Sequence, residues 1–281
     1  TARESAAVGF DGGLRRETVE PLTNYFMLRA QQDLNQGKTV FGAMVTALHR
    51  DINDPQLDFL HRQAYSGGID LFHSWKERRY YFSAKAIFSL VRGSAQALER
   101  TQKSSVHYFQ RPDADYLEFD PARTSLGGWG GNLEIGRTGG DRLRWAGGLT
   151  WRSPGLELND MGYLSRGDVA MAWGWAGYRI RKPTWVFNQL GANLNAWQGY
   201  DFGLEPIFVG GNVNFWGELR NYWSVNAGIN RQGPNLSPGA LRGGPALRFD
   251  PGWNVWYGLG SDSRRPFVAS LSGSLYRSDP G

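Results

Sequence analysis

The stretch Val209-Gly210-Gly211-Asn212-Val213-Asn214-Phe215-Trp216-Gly217-Glu218-Leu219 decides how the rest of the chain is read. Val209, Gly211, Val213, Phe215, Gly217 and Leu219 share one parity; Gly210, Asn212, Asn214, Trp216 and Glu218 share the other. Successive side chains point to opposite faces only in an extended strand, so the period of two excludes a helix. One face is apolar and the other carries amides, a carboxylate and an indole. The same alternation continues on both sides. Trp223, Val225, Ala227 and Ile229 oppose Ser224, Asn226, Gly228 and Asn230, while Leu190, Ala192, Leu194 and Ala196 oppose Gln189, Gly191, Asn193 and Asn195. Leu143, Trp145, Gly147, Leu149 and Trp151 oppose Arg142, Arg144, Ala146, Gly148, Thr150 and Arg152. Tyr80, Phe82, Ala84, Ala86, Phe88 and Leu90 form the apolar face of an earlier segment, and Phe267, Ala269, Leu271, Gly273 and Leu275 that of the last.

The connections carry a second signal. Short turns (Asn35 to Gly37, Glu77-Arg78, Gly139-Gly140, Arg181 to Thr184, Arg220-Asn221, Asp250 to Gly252) alternate with longer loops (Asp51 to Arg62, Gly93 to Arg123, Pro154 to Gly167, Gly199 to Glu205, Gln232 to Ala240). Arg15 to Pro21 and Asp262 to Pro266 are intermediate. Tight turns on one side and long loops on the other mark an up-and-down transmembrane β-barrel. Counting from Glu4 predicts about fourteen antiparallel strands, each long enough to exceed the ~9–11 residues that span a bilayer. An even count places both chain ends on the short-turn side, the periplasmic one.

Composition agrees with an all-β chain in the cell envelope. The 281 residues include no cysteine, but 38 glycines, 12 tryptophans, 12 tyrosines and 15 phenylalanines, at a mean hydropathy of −0.47. No run approaches the ~20 apolar residues of a spanning helix. A net charge of +5, with arginines spread along strands and turns, is not the concentrated patch of a nucleic-acid binder. A soluble propeller would repeat every ~40–50 residues, and no such period exists here. Sandwich strands average ~5–6 residues, shorter than these. A closed sheet of about fourteen strands is too wide for side chains to fill, since ~8 strands only just pack solid. The polar face then lines a wet lumen and the apolar face meets lipid.

Site candidates follow from parity. Lys85, Glu134, Arg142, Arg144, Arg152, Asn193, Asn195, Asn212, Asn214, Asn226, Asn230, Arg242 and Arg248 are expected to face the lumen. Rings of basic groups favour anions. Amides beside Trp197 and Trp216 suit hydroxyl-rich solutes such as sugars. The alternative is that this polarity merely solvates the wall, with pairs such as Arg144 and Glu134 neutralised across strands. Tyr65, Trp75, Tyr80, Trp145, Trp151, Trp173, Trp175, Trp223 and Tyr257 are assigned the outward parity, as a girdle at the membrane interface. Ordinary cross-strand aromatic pairing is the competing account.

The loop from Gly93 to Arg123, with Arg100, Lys103 and Arg111, is long enough to act as a lid or a plug, and Ser94 to Ser105 has the composition of a short helix. Glu157 and Asp160 lie in another long loop, which either folds inward as a gate or is simply pinned by hydrogen bonds and exposed ion pairs. Among His49, His61, His73 and His107 no pair has zinc-ligand spacing. No metal, cofactor or catalytic constellation is expected.

Five stretches carry a resemblance: Tyr108 to Asp115 (YFQRPDAD), Trp151 to Asp160 (WRSPGLELND), Gly210 to Trp216 (GGNVNFW), Leu241 to Arg248 (LRGGPALR) and Asp262-Ser263-Arg264. From about Thr23 onward the chain resembles the C-terminal barrel region of the domain of unknown function 5916 family. The resemblance implies a Gram-negative outer membrane and, ahead of the barrel, a sugar-binding-like domain of the family 9 carbohydrate-binding type. It implies no catalytic residues. That N-terminal domain is absent from this sequence, which ends Asp279-Pro280-Gly281 without a terminal aromatic, so a longer polypeptide with more strands is expected. The expected function is a single-domain outer-membrane channel or transporter for polar solutes. The alternative is a barrel that anchors a carbohydrate-binding domain or docks an envelope partner, with an outer-membrane enzyme the remote third.

Overall fold

The computed structural model describes residues 1–10, 13–140 and 142–279. Strand is the dominant structure among the described residues. Twelve strands form one antiparallel sheet: β3 (Leu22–Leu34), β4 (Thr39–Asp51), β5 (His61–Trp75), β6 (Tyr80–Gly93), β7 (Ser125–Arg137), β8 (Leu143–Arg152), β9 (Val169–Ile180), β10 (Phe187–Tyr200), β11 (Pro206–Leu219), β12 (Ser224–Gln232), β15 (Gly252–Gly260) and β16 (Ser270–Ser278). Each strand pairs with its neighbours in the chain, except that β12 pairs directly with β15. Two hairpins stand outside the sheet: β1 (Glu4–Phe10) with β2 (Gly13–Glu20), and β13 (Asn235–Ser237) with β14 (Leu247–Phe249).

Three expectations change. The first predicted strand, from Glu4, is instead the separate β1–β2 hairpin, and the segment 240–250 does not enter the sheet. Its Gly243, Gly244 and Pro245 break the ladder, and Leu247–Phe249 turns back onto Asn235–Ser237. The count in the sheet is therefore twelve, not about fourteen. Among the described residues the sheet is also not closed: β3 and β16 are its two edges and pair with no strand beyond β4 and β15. Finally, Leu22 pairs with Asp51, and the Asp279 amide bonds Pro251 O, so both described ends lie beside the long loops and not beside the short turns. The last two residues lie outside the described ones.

Sidedness is continuous from strand to strand. Following the register, Phe26, Val45, Ile69, Phe88, Leu133, Leu149, Leu194, Val213, Ile229, Val255 and Leu275 all share one face. These side chains are open: Ile69 is 66% exposed, Leu194 56% and Leu275 72%. Charged residues on this face, such as Arg92, Arg137 and Arg231, stand near the ends of their strands.

At the long-loop end the opposite face becomes apolar, where Leu48, Ala64, Val91 and Leu126 are buried under a cap. Three loops build it: 52–60, which holds a 3-10 turn (Pro55–Leu57); 94–124, which holds α1 (Ala95–Lys103); and 153–168. The predicted helix is α1. Ser94 caps it, accepting the Ala97 amide at 3.1 Å, and Arg100 and Lys103 complement the dipole in its last turn. Its inner side places Ala97 and Leu98 against Leu48, Val91 and Phe109. Loop 153–156 lies flat on β7 because a β-carbon on Gly128 would run into the backbone of Gly155 and Leu156.

Candidate functional site

The polar face divides into a capped part, β4 to β8, and an open part, β8 to β16. In the open part the register builds ordered rows. One runs Trp175, Asn195, Asn212, Asn230, Asn254 and Tyr276 on successive strands. Asn195 Nδ2 donates to Asn212 Oδ1 at 2.6 Å, and Asn230 Nδ2 to Asn254 Oδ1 at 3.0 Å. Tryptophans border the row on both sides. Trp173 and Trp197 face each other in the row nearer the loops, and Trp216 and Trp256 occupy the rows nearer the turns.

Each of these four indoles lies across a glycine on the adjacent strand. Trp197 covers Gly210, Trp216 covers Gly191, Trp256 covers Gly228 and Trp173 covers Gly148; a β-carbon there would meet the ring at 2.5–3.0 Å. Trp175 covers Gly177 of its own strand in the same way, at 2.6 Å. Glycine lets a large ring lie flat on the wall, and the Trp216 ring also carries the Arg179 guanidinium.

At the turn end, a cavity of about 270 Å³ is lined by Arg142, Arg144, Arg179, Trp175, Trp216 and Asn193, with Gly177 and Tyr178. The Arg179 guanidinium sits 4.7 Å from the Trp216 ring centre, and Arg142 donates to the Tyr178 hydroxyl at 3.3 Å.

A second cavity, about 430 Å³, lies under the cap between Met44, Ile87, Leu158 and Met161. The Arg29–Asp70 ion pair forms part of its wall with Lys85, and Arg29 holds the carboxylate through two bonds of 2.6 and 2.8 Å.

Register places Lys85, Glu134, Arg144, Arg152, Asn193, Asn195, Asn212, Asn214, Asn226 and Asn230 together on the polar face. Arg142 stands just before β8. Arg242 and Arg248 do not belong there, since both lie in the 233–251 connection, Arg248 within the outlying β13–β14 hairpin. Nor do Arg144 and Glu134 pair: Glu134 sits opposite Gly148 and takes the Tyr81 hydroxyl. Trp173 and Trp175 are a further correction. Both are on the polar face, opposite Gly148 and Ala146, not on the outward one. Tyr65, Trp75, Tyr80, Trp145, Trp151, Trp223 and Tyr257 take the apolar parity; Trp75 and Tyr80 stack at 5.8 Å beside a short turn, whereas Tyr257 is near mid-strand.

The cap collects the charged loop residues. Arg100 packs on Phe59, Lys103 bonds Glu99, and Arg111 bonds Asp113 at 3.1 Å. Glu157 and Asp160 are not held by exposed pairs. His107, itself fully buried, brings Nε2 to 2.8 Å from Glu157 Oε2, and His61 Nδ1 lies 2.7 Å from Asp160 Oδ2. Arg50 Nη1 donates to Asp160 at 2.6 Å. Nothing local in the sequence announces these contacts, which join residues 50 to 110 positions apart.

Burial pushes both carboxyls up, yet the His107 contact for Glu157, and His61 and Arg50 for Asp160, hold them below their usual range. A carboxyl with a folded pKa below its unfolded value stabilises above the ordinary range, and that stability is lost as acid reaches the folded value. The cap is therefore expected to loosen below about pH 4. The protection of amides 156–164 against hydrogen exchange, relative to their intrinsic rates at each pH, should fall there, with that of the strand amides of β9 to β11 unaffected. Unchanged protection of these amides down to pH 2 would contradict it.

The fold and this face define an all-β protein built on one large antiparallel meander, apolar on one side and amide- and indole-rich on the other. The chain belongs to the family described as domain of unknown function (DUF5916), whose model matches residues 7–279. No curated protein matches it. Among solved structures it is similar to the crystal structure of a Pseudomonas aeruginosa FadL homologue, at 11% identity over 94% of this chain and 71% of that one. The TM-score is 0.29, too loose a superposition to bear on function.

Proposed function

We propose that this chain is the wall of an outer-membrane β-barrel that conducts polar solutes. The observation that carries the reading is the exposed apolar face shared by all twelve strands, free of charge except near the strand ends. Soluble proteins rarely expose contiguous apolar patches beyond a few hundred Å². Strands of 9 to 15 residues match the ~9–11 needed to cross a bilayer. In lipid the free edges of β3 and β16 require pairing, so the reading entails closure of the wall along them. The amide-rich face then lines water.

A second reading rests on the cap. It covers the polar face at one end and favours a barrel that anchors or docks a partner over an open pore. Reconstitution into planar bilayers separates the two. Steady single-channel openings are expected from the channel; silence from protein that co-floats with vesicles favours the anchor. A monodisperse species in detergent-free buffer would end both.

A further inference from the structure

We propose that the open polar face from β8 to β15 is a binding track for acidic oligosaccharides. The inference rests on that face lining water and adds the chemical class of the ligand. Three features converge. Trp173, Trp197 and Trp256 lie flat over glycines, which leaves a ring face free for the C–H side of a pyranose. Between their tiers runs the row Asn195, Asn212, Asn230 and Asn254, one amide per strand. Strands are spaced ~4.8 Å apart, so the row repeats hydrogen-bonding groups at about the length of one sugar unit. A periodic line of identical amides suits a repeating, hydroxyl-bearing chain better than a single flat heterocycle.

Charge sets the class. The cavity at the turn end of the track brings Arg144 and Arg179 beside Trp175 and Trp216, and no acidic side chain lines it among the described residues. At about 270 Å³ it is slightly smaller than the ~300 Å³ at which pockets for drug-sized ligands begin, a size for one ring. Guanidinium groups pair with carboxylates through fixed, forked hydrogen bonds. A uronate carboxylate entering here would meet Arg144 and the Arg179 guanidinium that the Trp216 ring holds, while the following rings cross the asparagine row toward Trp256 and Trp197.

Calorimetric titration of the purified full chain in detergent micelles, with tetragalacturonate and maltotetraose as probes, tests this. Saturable binding of tetragalacturonate, at least tenfold tighter than maltotetraose, is expected. Trp216→Ala, which frees the Arg179 guanidinium, should weaken it tenfold or more, and Trp216→Phe, which keeps a ring under that guanidinium, much less. Arg144→Gln combined with Arg179→Gln should abolish the preference between the two probes, and Trp253→Phe on the opposite face should change nothing. Each variant is compared only after its unfolding midpoint matches the parent. No tetragalacturonate binding, or equal affinity for both probes, overturns the inference even if the protein conducts. Binding without conductance would leave the track intact and remove the channel.

Discussion

Replacing Leu194 with arginine is expected to destabilise the lipid-inserted protein by about 2–4 kcal/mol, the cost of a basic side chain at the midplane of a barrel's lipid face. Leu194 is central in β10, flanked by Ala176 on β9 and Val213 on β11, and more than half of it is exposed. In water, arginine at such an open site would be nearly neutral, since surface substitutions stay within about 0.5 kcal/mol. Ser272→Arg provides the comparison, because Ser272 is exposed on the polar face of β16. Urea unfolding in vesicles should separate the two variants. Equal, small effects would mean that the apolar face does not meet acyl chains.

The second large effect is expected at the cap. Gly128→Ala places a β-carbon inside the backbone of Gly155 and Leu156, which cannot yield as a flexible side chain would. The loop 153–157 has to lift. It then gives up the burial of Leu156, worth about 1.5–3 kcal/mol. It also loses the bonds from the Trp129 amide to Ser153 Oγ and from the Glu157 amide to Ser89 Oγ, each worth about 0.5–1.5 kcal/mol. The cap should weaken by about 2.5–6 kcal/mol in sum, with the strands still paired. Proteolysis near Tyr163, 83% exposed, reads this directly. Gly127→Ala is the control, since its β-carbon meets nothing closer than 3.5 Å. Equal protease resistance in both variants would show that loop 153–157 does not rest on β7.

Much of this was legible in the sequence because a half-exposed strand writes its two faces as alternate letters. β6, β10, β11 and β12 alternate between residues of different polarity, and their parity was readable without a partner. β9 was not readable. In Val169-Ala170-Met171-Ala172-Trp173-Gly174-Trp175-Ala176 both parities are apolar, so alternation does not separate the faces and the tryptophans read as part of the interface girdle. The deciding information sits on other positions: Gly148 and Gly177 make room for flat rings on the polar face. The segment 240–250 failed for another reason. Its alternation is interrupted by glycine and proline, and an eleven-residue span alone does not say which ladder it joins. The cap histidines left no trace, because His61 and His107 find their carboxylates only through tertiary structure.

The meander has a consequence for how the molecule assembles. Hairpins of the sheet close over turns of a few residues, as at Leu34 and Thr39 or Trp75 and Tyr80. The cap instead joins Arg50 to Asp160, 110 positions away, and His61 to the same carboxylate across 99. The entropy lost on closing a chain grows with its length, and contacts between distant positions form slowly. The strands therefore register first and the lid sets last, on a finished surface. On heating the order reverses, so the lid melts while the ladder beneath it still holds.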